Sequence, residues 1–246
     1  LADDRGVDFV SLRGRDLPAH PSFTHRNRFV TFRVSTAAGP DAVWDGIKAS
    51  RQRQITQAAE DDDLRYTVGD SLSDLRAYYR LHLDSMRGHG TPPHSFAFFR
   101  TLWERFHDDG HLRLGLVWLD DRPINGMLDL AHGSTVHQWG VVSDYDHRER
   151  NGGSLALWKS LEWAAENGYD TYDFGRTREG TGVYMFKKSF GGEKTWYDDY
   201  HYFPDGEETL PHPEDETYDP LKRVWRRLPI AATRAIGPHI RKGISL

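Results

Sequence analysis

The sequence predicts an α/β (α+β) protein in which helices flank a mixed, mostly antiparallel sheet. Two segments, 72–87 and 95–107, carry apolar residues every three or four positions, which indicates amphipathic helices. Three strand-like runs then span 112–143, and the short turns between them predict an antiparallel meander. A helix at 154–167 and a strand at 169–174 complete the pattern.

The helix boundaries follow from residues that cap helix ends. Ser71 and Asp74 have the spacing of a capping box, and Ser95 stands before the second helix as an N-cap. Ser154 is predicted to cap the third helix in the same way, and Gly168 to end it.

Further elements are predicted towards both ends of the chain. The runs VDFVSLRG and RFVTFRVST, within residues 1–36, read as strands, and 41–60 reads as a helix. At the other end a short helix near 184–190 leads to a last strand, 195–203. Because the chain begins without Met and close to a predicted strand, we expect further residues upstream of it.

Composition and charge exclude several classes of function. The chain has no cysteine, which excludes disulfides, thiolate metal sites and cysteine nucleophiles. No run approaches the roughly 18 apolar residues of a membrane span, and the acidic first residues predict no signal peptide. A net charge of −5 argues against a general polyanion binder, and the default location is the cytoplasm.

The stretch HRERNGGSLALWK follows the third meander strand and enters a helix. Backbone N–H groups at a helix start, with basic side chains beside them, bind anions. The alternative is that the glycines only form a tight strand-to-helix turn. The residues assigned here to donor or cofactor binding are Arg148, Arg150, Asn151, Gly152, Gly153 and Ser154.

The stretch DFGRTREGTGVYMFKKSFG begins where the strand 169–174 ends, at the usual edge of a ligand crevice in an α/β fold. Its aromatic residues are spaced to cover one side of a short helix, and Lys187 would emerge from that apolar wall. The alternative is a structural loop with Lys187 solvated and Arg176 in a salt bridge. Asp173 and Lys187 are the catalytic candidates, and the candidates for substrate binding are Arg176, Gly182, Tyr184 and Phe186.

A third candidate region, 79–95, forms one lip of a cleft in this interpretation. Tyr79, Arg87 and His89 are assigned there to substrate binding, together with Trp139 of the third meander strand. Thirteen histidines are scattered over the chain, and those at 82, 89 and 94 are assigned to core, cap or loop positions, so no metal site is predicted. Without a GxSxG motif, Ser-His-Asp catalysis is not predicted either.

The C-terminal region is divided by charge. Residues 204–220 are acidic, whereas 221–246 combine basic residues with aliphatic ones, and Pro229 and Pro238 are expected to break this tail into short pieces. Such a segment suits the surface of an anionic membrane. Alternatively, its apolar side packs on the domain and its arginines are solvated.

Three stretches resemble, in the same order, signatures of FemAB-like members of the GNAT acyltransferase superfamily, of the type associated with exopolysaccharide systems. YDFGRTREGTGVYMFKKSFGG resembles "DFGRS…GTYRFKxGFG", and SMRGHGTPPHSFAFFRTLWE resembles "RHGxPxxSxxFFxxLWE". LALWKSLEWAAENGYDTYDFGR is similar to the helix-to-strand segment of the family. The resemblance covers most of residues 40–203.

The resemblance implies a GNAT-like acyl-CoA N-acyltransferase fold, and Fem-type proteins contain two such lobes. Residues 1–65 would then be the remnant of a first lobe with its connecting helix. Residues 66–203 would be a complete GNAT-like domain, and 204–246 an acidic linker with a basic amphipathic tail. Unpaired strand edges in the partial lobe would favour a homodimer.

The same resemblance implies an acyltransferase of the EC 2.3 class. Fem-type enzymes transfer an aminoacyl group from aminoacyl-tRNA, whereas other GNAT enzymes use acyl-CoA, so both donors stay open and no tightly bound cofactor is expected. The family's Phe-Lys pair matches Phe186 and Lys187. Its pyrophosphate loop matches 148–153, although the second glycine departs from the standard spacing. Asp173 and Asp129 are the candidate bases.

Together these observations give two hypotheses. The first is an N-acyltransferase acting on an amine of a cell-envelope or polysaccharide precursor, which is a small or lipid-linked acceptor. It would work in the cytoplasm, or peripherally at the inner face of the membrane through 221–246. The alternative is a non-catalytic GNAT-fold binding module of envelope or polysaccharide machinery.

Overall fold

The computed structural model describes residues 7, 9–14, 17–204 and 219–242. The elements of the N-terminal part, before the predicted meander unit, are β1 (Val10–Gly14), β2 (Thr24–Arg26), β3 (Val30–Ser35), α1 (Pro40–Asp45) and α2 (Ala49–Ala59).

The central part contains two helices and a meander, preceded by one strand. Its elements are β4 (Leu64–Gly69), α3 (Leu72–His89), α4 (Phe96–Phe106), β5 (Leu112–Leu119), β6 (Arg122–His132), β7 (Thr135–Ser143) and a 3₁₀ turn (Tyr145–Arg150). The remaining elements are α5 (Gly152–Glu166), β8 (Thr171–Asp173), α6 (Gly182–Lys188), β9 (Glu193–Trp196), β10 (Asp198–Tyr202), α7 (Asp219–Arg227) and α8 (Ile230–Arg241).

Seven strands form the main sheet, in the order β4-β5-β6-β7-β8-β3-β9. Every neighbouring pair is antiparallel except β7 and β8, which are parallel. The predicted mixed, mostly antiparallel sheet is therefore confirmed. A second, three-stranded antiparallel sheet has the order β1-β10-β2.

Helices cover both faces of the main sheet. Residues of α1, α2 and α5 pack with one face around fully buried side chains such as Tyr172 and Phe174. Residues of α3 and α4 pack with the other face around Tyr78 and Phe99. The site described below lies where β7 and β8 meet between these two layers.

Two of the three N-caps predicted from local spacing are confirmed, and the third is wrong. Ser71 and Asp74 form the capping box at the start of α3, and Ser95 accepts the Phe98 N–H at the start of α4. Ser154 is not a cap, because α5 begins two residues earlier and Asn151, in the left-handed conformation, takes the N-cap position.

Other boundaries differ because tertiary contacts interrupt the predicted elements. The helix predicted at 41–60 is two helices, since the backbone N–H of Lys48 donates to the carbonyl of Ser189 instead of continuing the helix. The strand predicted at 195–203 is divided between β9 and β10, which belong to different sheets. Pro238 lies inside α8 and does not break it.

The N-terminal part contributes directly to the main sheet. β3 lies between β8 and β9 and pairs with both, so this sheet includes a strand from before the predicted start of the complete domain. The division of the chain into 1–65, 66–203 and 204–246 stays a prediction.

The described part of the C-terminal tail packs on α3. Trp225 is buried, and Arg226 and Arg241 donate to the carbonyls of Gly88 and Pro92 at 3.1 and 3.2 Å. Four aliphatic side chains stay exposed on α7 and α8: Leu221, Val224, Ile236 and Ile240. Within the described ranges, no helix has both the length and the apolar character needed to cross a bilayer.

Candidate active site

The parallel strands β7 and β8 pair over only three residues each. Residues 135–137 of β7 pair with 171–173 of β8, and the strands then separate. β7 continues along β6 to Ser143, whereas the chain after β8 turns towards β3, where Thr177 and Val30 form a bridge. Beyond these residues no strand pairing joins β7 to the segment that follows β8, and we call this interruption of the sheet the opening.

Gly175 sits where the two strands separate. Its φ of +66° is in the left-handed region, and an added Cβ would lie 3.0 Å from the carbonyl oxygen of Gln138 and 3.4 Å from the His137 ring. Glycine is therefore needed at this turn for both its conformation and its close approach to β7.

Asp173 and His137 face each other across the last paired position of the two strands. The Asp173 carboxylate is buried and accepts hydrogen bonds from the Thr31 hydroxyl at 2.6 Å and the Gly175 N–H at 2.9 Å. His137 Nδ1 lies 3.8 Å from the same carboxylate oxygen, and 40% of the His137 side chain is exposed. The buried Asp173 carboxylate, held by two hydrogen bonds, thus lies next to the partly exposed imidazole of His137.

Lys187, on α6, is buried beneath the loop that follows β8. Its ammonium donates to the carbonyls of Phe174 at 2.6 Å, Gly175 at 3.0 Å and Arg176 at 3.3 Å. Burial lowers the pKa of this ammonium to about 8, while the Asp173 carboxylate acts in the opposite direction. The ammonium does not emerge from an apolar wall, as the sequence predicted, because three backbone carbonyls accept its hydrogen bonds.

The aromatic residues of α6 pack towards the protein interior. Tyr184 contacts Phe32, with 5.2 Å between ring centroids, and Phe186 contacts Phe190 at 5.3 Å. Arg51 of α2 stacks over Phe186 at 4.5 Å. The predicted aromatic wall is therefore mainly a packing surface, while Gly182 at the start of α6 has no neighbouring atom within 4 Å of an added Cβ.

The loop before α5 is held by contacts to α2 and to the residues before β4. Arg150 binds Asp61 at 2.8 Å and Asp63 at 3.1 Å, and its hydrogen bond lowers the pKa of the Asp61 carboxyl. Arg51 donates to the Ser154 hydroxyl at 2.8 Å, and Asn151 donates to Gln57.

Three of the residues assigned to binding the acyl donor instead form side-chain hydrogen bonds with other parts of the protein: Arg150, Asn151 and Ser154. Arg148 is exposed. Gly152 is packed against the Asn125 side chain, which leaves no room for a Cβ, so this glycine also serves the tight turn. At the start of α5 the N-cap residue Asn151 makes no side-chain capping hydrogen bond, so its side chain does not satisfy the first backbone N–H groups of the helix.

The remaining predicted residues lie on the α3 and α4 side. Tyr79 is buried against Phe96, and Arg87 pairs with Asp84. His89 contacts Tyr145 of the 3₁₀ turn at 5.8 Å. Trp139, two positions after His137, packs on Phe98 and His94 with 37% of its surface exposed.

Asp129 is enclosed rather than placed at the opening. Burial raises the pKa of its carboxyl to about 6, and the Tyr172 hydroxyl donates to it at 2.8 Å. Over the residues that the structure describes, no group of three or more His, Asp or Glu side chains is arranged to hold a metal ion.

Two residues of this site, His137 and Arg51, were not singled out by sequence reasoning. His137 becomes significant only through its pairing with Asp173, and that register joins strands separated by a helix. Arg51 lies within the predicted helix 41–60, where nothing in the sequence marks it for a role. Neither residue belongs to a local motif, so spacing carried no signal for them.

A family model described as an acetyltransferase (GNAT) domain matches residues 48–188, more than half of the chain. No curated protein matches the chain. Among solved structures, it is similar to FemX, with 14% identity and a TM-score of 0.63 over 89% of this chain and 69% of that one.

Two further similar structures carry related names. The C-terminal domain of a lysylphosphatidylglycerol synthetase from Agrobacterium fabrum, itself described as putative, has a TM-score of 0.55 at 12% identity, over 73% of this chain and 61% of that one. L-PGS from Bacillus licheniformis has a TM-score of 0.53 at 10% identity, over 84% and 68%. The chain thus spans roughly two thirds of the lengths of these structures, and at such identities the likeness concerns the fold.

Proposed function

Because the chain belongs to the GNAT acetyltransferase domain family, we propose that it is an N-acyltransferase whose reaction takes place in the opening between β7 and β8. The acyl or aminoacyl group passes to an amine of a cell-envelope or polysaccharide precursor. The observation that carries this proposal is the short parallel pairing of β7 and β8, which ends at the His137–Asp173 pair.

The chemistry is a direct attack of the amine on the acyl carbonyl. A C–N bond forms, the bond to the thiol or hydroxyl of the donor breaks, and the amine loses a proton. We assign His137, whose side chain is partly exposed to solvent, as the general base that accepts this proton. Asp173 orients the imidazole and stabilises its charged form. Backbone N–H groups of β7 beyond its pairing with β8 are suited to polarise the carbonyl.

Lys187 has a positioning role in this proposal. Its three hydrogen bonds fix the carbonyls of residues 174–176, and this segment contains Gly175, which packs on His137. Asp173 is likewise assigned to orientation. Trp139, Arg87 and His89 are assigned to binding the acceptor, on the face of the main sheet that is covered by α3.

The donor is proposed to bind with its phosphates at the start of α5. The first backbone N–H groups of α5, which no capping side chain accepts, and the exposed Arg148 suit the diphosphate of acyl-CoA, the donor of the GNAT family. Aminoacyl-tRNA is the other donor, suggested by the similarity to FemX and the L-PGS fold.

An acceptor of the cell envelope is supported by the names of two similar structures, which refer to lysylphosphatidylglycerol synthesis. The exposed aliphatic residues of α7 and α8 stand among exposed arginines such as Arg223 and Arg227, a pattern suited to an anionic membrane surface. Peripheral membrane contact, a cytoplasmic location and a homodimer remain part of this proposal.

The first test measures donor binding and turnover with defined probes. Acetyl-CoA and lysyl-tRNA are compared by thermal shift, and turnover is followed with glucosamine or a lysine-containing stem peptide as the acceptor. A donor present at 100 times its Kd stabilises the protein by about 2.7 kcal/mol, which raises the Tm by about 5–10 °C.

His137→Gln is then compared with His132→Gln, an exposed histidine on β6. We expect kcat to fall about 10²–10⁴-fold in His137→Gln and to stay unchanged in His132→Gln, with equal donor binding. Full activity of the His137→Gln variant would show that His137 is not the general base. Donor binding without turnover by the unaltered protein would favour the non-catalytic binding module.

A further inference from the structure

A single row of paired residues crosses the main sheet through the candidate active site. Leu130 on β6 pairs with His137 on β7, and His137 pairs with Asp173 on β8. The row continues through Arg33 on β3 to Glu193 on β9. Because residues directly opposite each other in a sheet project from the same face, all five side chains share one face of the main sheet.

This face is apolar at one end of the row and polar at the other. Leu130 packs with the buried side chains beneath α3 and α4. The next positions on the same face of β3, β7 and β8 are Ser35, Thr135 and Thr171, and none of these three is fully buried. His137 therefore stands at the boundary between the part covered by helices and a polar part that water reaches.

Arg33 is the cation of this row, and it lies in register between two acids. Asp173 is its neighbour on β8 and Glu193 its neighbour on β9. Among the described residues, Arg33 forms an ion pair with neither acid, and its Nε atom is buried without a hydrogen-bond partner. The residue as a whole is only partly buried. Such an unpaired donor costs free energy, and an anionic ligand on the guanidinium offsets that cost.

The charges of the row favour one kind of anion. The planar fork of a guanidinium matches two oxygens of a carboxylate or of a phosphate. Asp173 and Glu193 repel a doubly charged phosphate, whereas a carboxylate carries only the single charge that Arg33 neutralises. The Asp173 carboxylate also favours a positive group between Arg33 and His137. The row thus matches a ligand with a carboxylate at Arg33 and an amine towards His137.

The spacing of the strands indicates the size of this ligand. Neighbouring strands lie about 4.8 Å apart, so the backbones of Arg33 and His137, two strands apart, are separated by about 10 Å. The ε-amine and the carboxyl carbon of an extended lysine are about 7–8 Å apart. One small molecule can therefore reach both side chains.

We propose that Arg33 binds a carboxylate of the acceptor and thereby selects an amine that carries one, such as a diamino acid or a peptide that contains it. The inference rests on the proposed function for the fate of the amine. Binding of the carboxylate itself requires no turnover, so it is measured separately.

The probes are L-lysine and L-lysinamide, which differ only at the carboxyl group. Binding is measured by isothermal titration calorimetry, and acyl transfer is followed with each as the acceptor. We expect the unaltered protein to bind lysine at least about tenfold more tightly, and Arg33→Gln to bring the two affinities within about twofold by weakening lysine alone. The net charge of −5 favours the more positive lysinamide, so general attraction does not produce this preference.

Arg80→Gln is the matched control, because it removes an exposed arginine from α3 and should leave the preference for lysine unchanged. Thermal melting checks that both variants are folded. Arg33→Lys, which keeps the charge but not the planar fork, replaces Arg33→Gln if that variant does not fold, and it should also reduce the preference.

Three outcomes would overturn the proposal. The first is no binding of lysine by the unaltered protein at millimolar concentration, and the second is equal binding of lysine and lysinamide. The third is a preference for lysine that persists in the Arg33 variant or is lost equally in Arg80→Gln. Failure of the proposed function has a different signature, namely lysine binding that depends on Arg33 without any acyl transfer to lysine.

Discussion

The loops that follow the neighbouring strands β7 and β8 both lead into helices, but they are held by different kinds of contact. The loop before α5 is held by side chains near the surface, chiefly Arg150 with Asp61 and Asp63. The loop before α6 is held from below by Lys187, whose ammonium binds three backbone carbonyls.

The difference in burial decides what each contact contributes. Arg150 is 35% exposed and Asp63 59% exposed, so water competes with the ion pair and salt screens it. Lys187 is only 8% exposed, and two of its three carbonyl partners belong to buried residues. Without the ammonium those carbonyls would lose partners that water cannot easily replace. The loop at the candidate active site is therefore the one fixed most strongly.

The largest effect is expected for Lys187→Met, which keeps the length of the side chain but removes its donors. We expect the free energy of unfolding to fall by about 2–4 kcal/mol, since several buried carbonyls lose their partner at once. For a chain of this size the Tm should fall by about 5–15 °C, measured by calorimetry. Turnover should fall as well, because Gly175 no longer holds its place beside His137.

Lys188→Met is the matched control, because this neighbouring lysine is exposed and should be replaced with little effect. A loss in Lys187→Met no larger than the control would refute the comparison. The pKa adds a second check. Because the folded-state pKa of Lys187, about 8, lies below the ordinary value of 10.5, the unfolded chain binds the proton more strongly between these values. Stability relative to Lys187→Met should therefore rise as the pH increases from about 8 to 10.5.

Much of this fold could be predicted from the sequence, because its signals are local. The capping box of Ser71 and Asp74, the apolar stripes of α3 and α4 and the short turns of the meander each lie within a few residues. The elements that differ, such as the helix broken before Lys48, are determined by contacts with distant segments. Local spacing contains no record of such contacts.

The candidate site was predictable to a smaller extent. The sequence located Asp173 and Lys187 in one glycine-rich stretch, and the structure places Asp173 beside the opening. The orientation of Lys187 was wrong, because a pattern of aromatics and lysines does not show which side of a seven-residue helix faces the backbone carbonyls. The position of β3 in the main sheet and the partner of Asp173 on β7 depend on strand register.

Arg51 tests whether the two loops are independent. Its guanidinium stacks on Phe186, donates to Ser189 at the end of α6, and donates to Ser154 near the start of α5. We expect Arg51→Met to destabilise the protein by about 1–2 kcal/mol, because Met retains the apolar stem but loses the hydrogen bonds and the charge over the ring.

Arg53→Met, an exposed change on the same helix, is the control for Arg51. Urea unfolding of both variants measures the difference. If Arg51→Met and Lys187→Met are combined, the losses should fall short of additivity, since both residues act on α6. Strict additivity would show that the two loops are stabilised separately.

The smallest effect is expected for Arg150→Ala, which removes the ion pairs to Asp61 and Asp63 but leaves both carboxylates near water. The carboxylates can be solvated without the arginine, so the Tm should fall only slightly at low salt, and the fall should be smaller at 0.5 M salt. Thermal melting at low and high salt is the measurement. A loss as large as that of Arg51→Met would mean that the exposed ion pairs stabilise the loop before α5 as strongly as a partly buried contact does. In that case exposure would not be what separates the two loops.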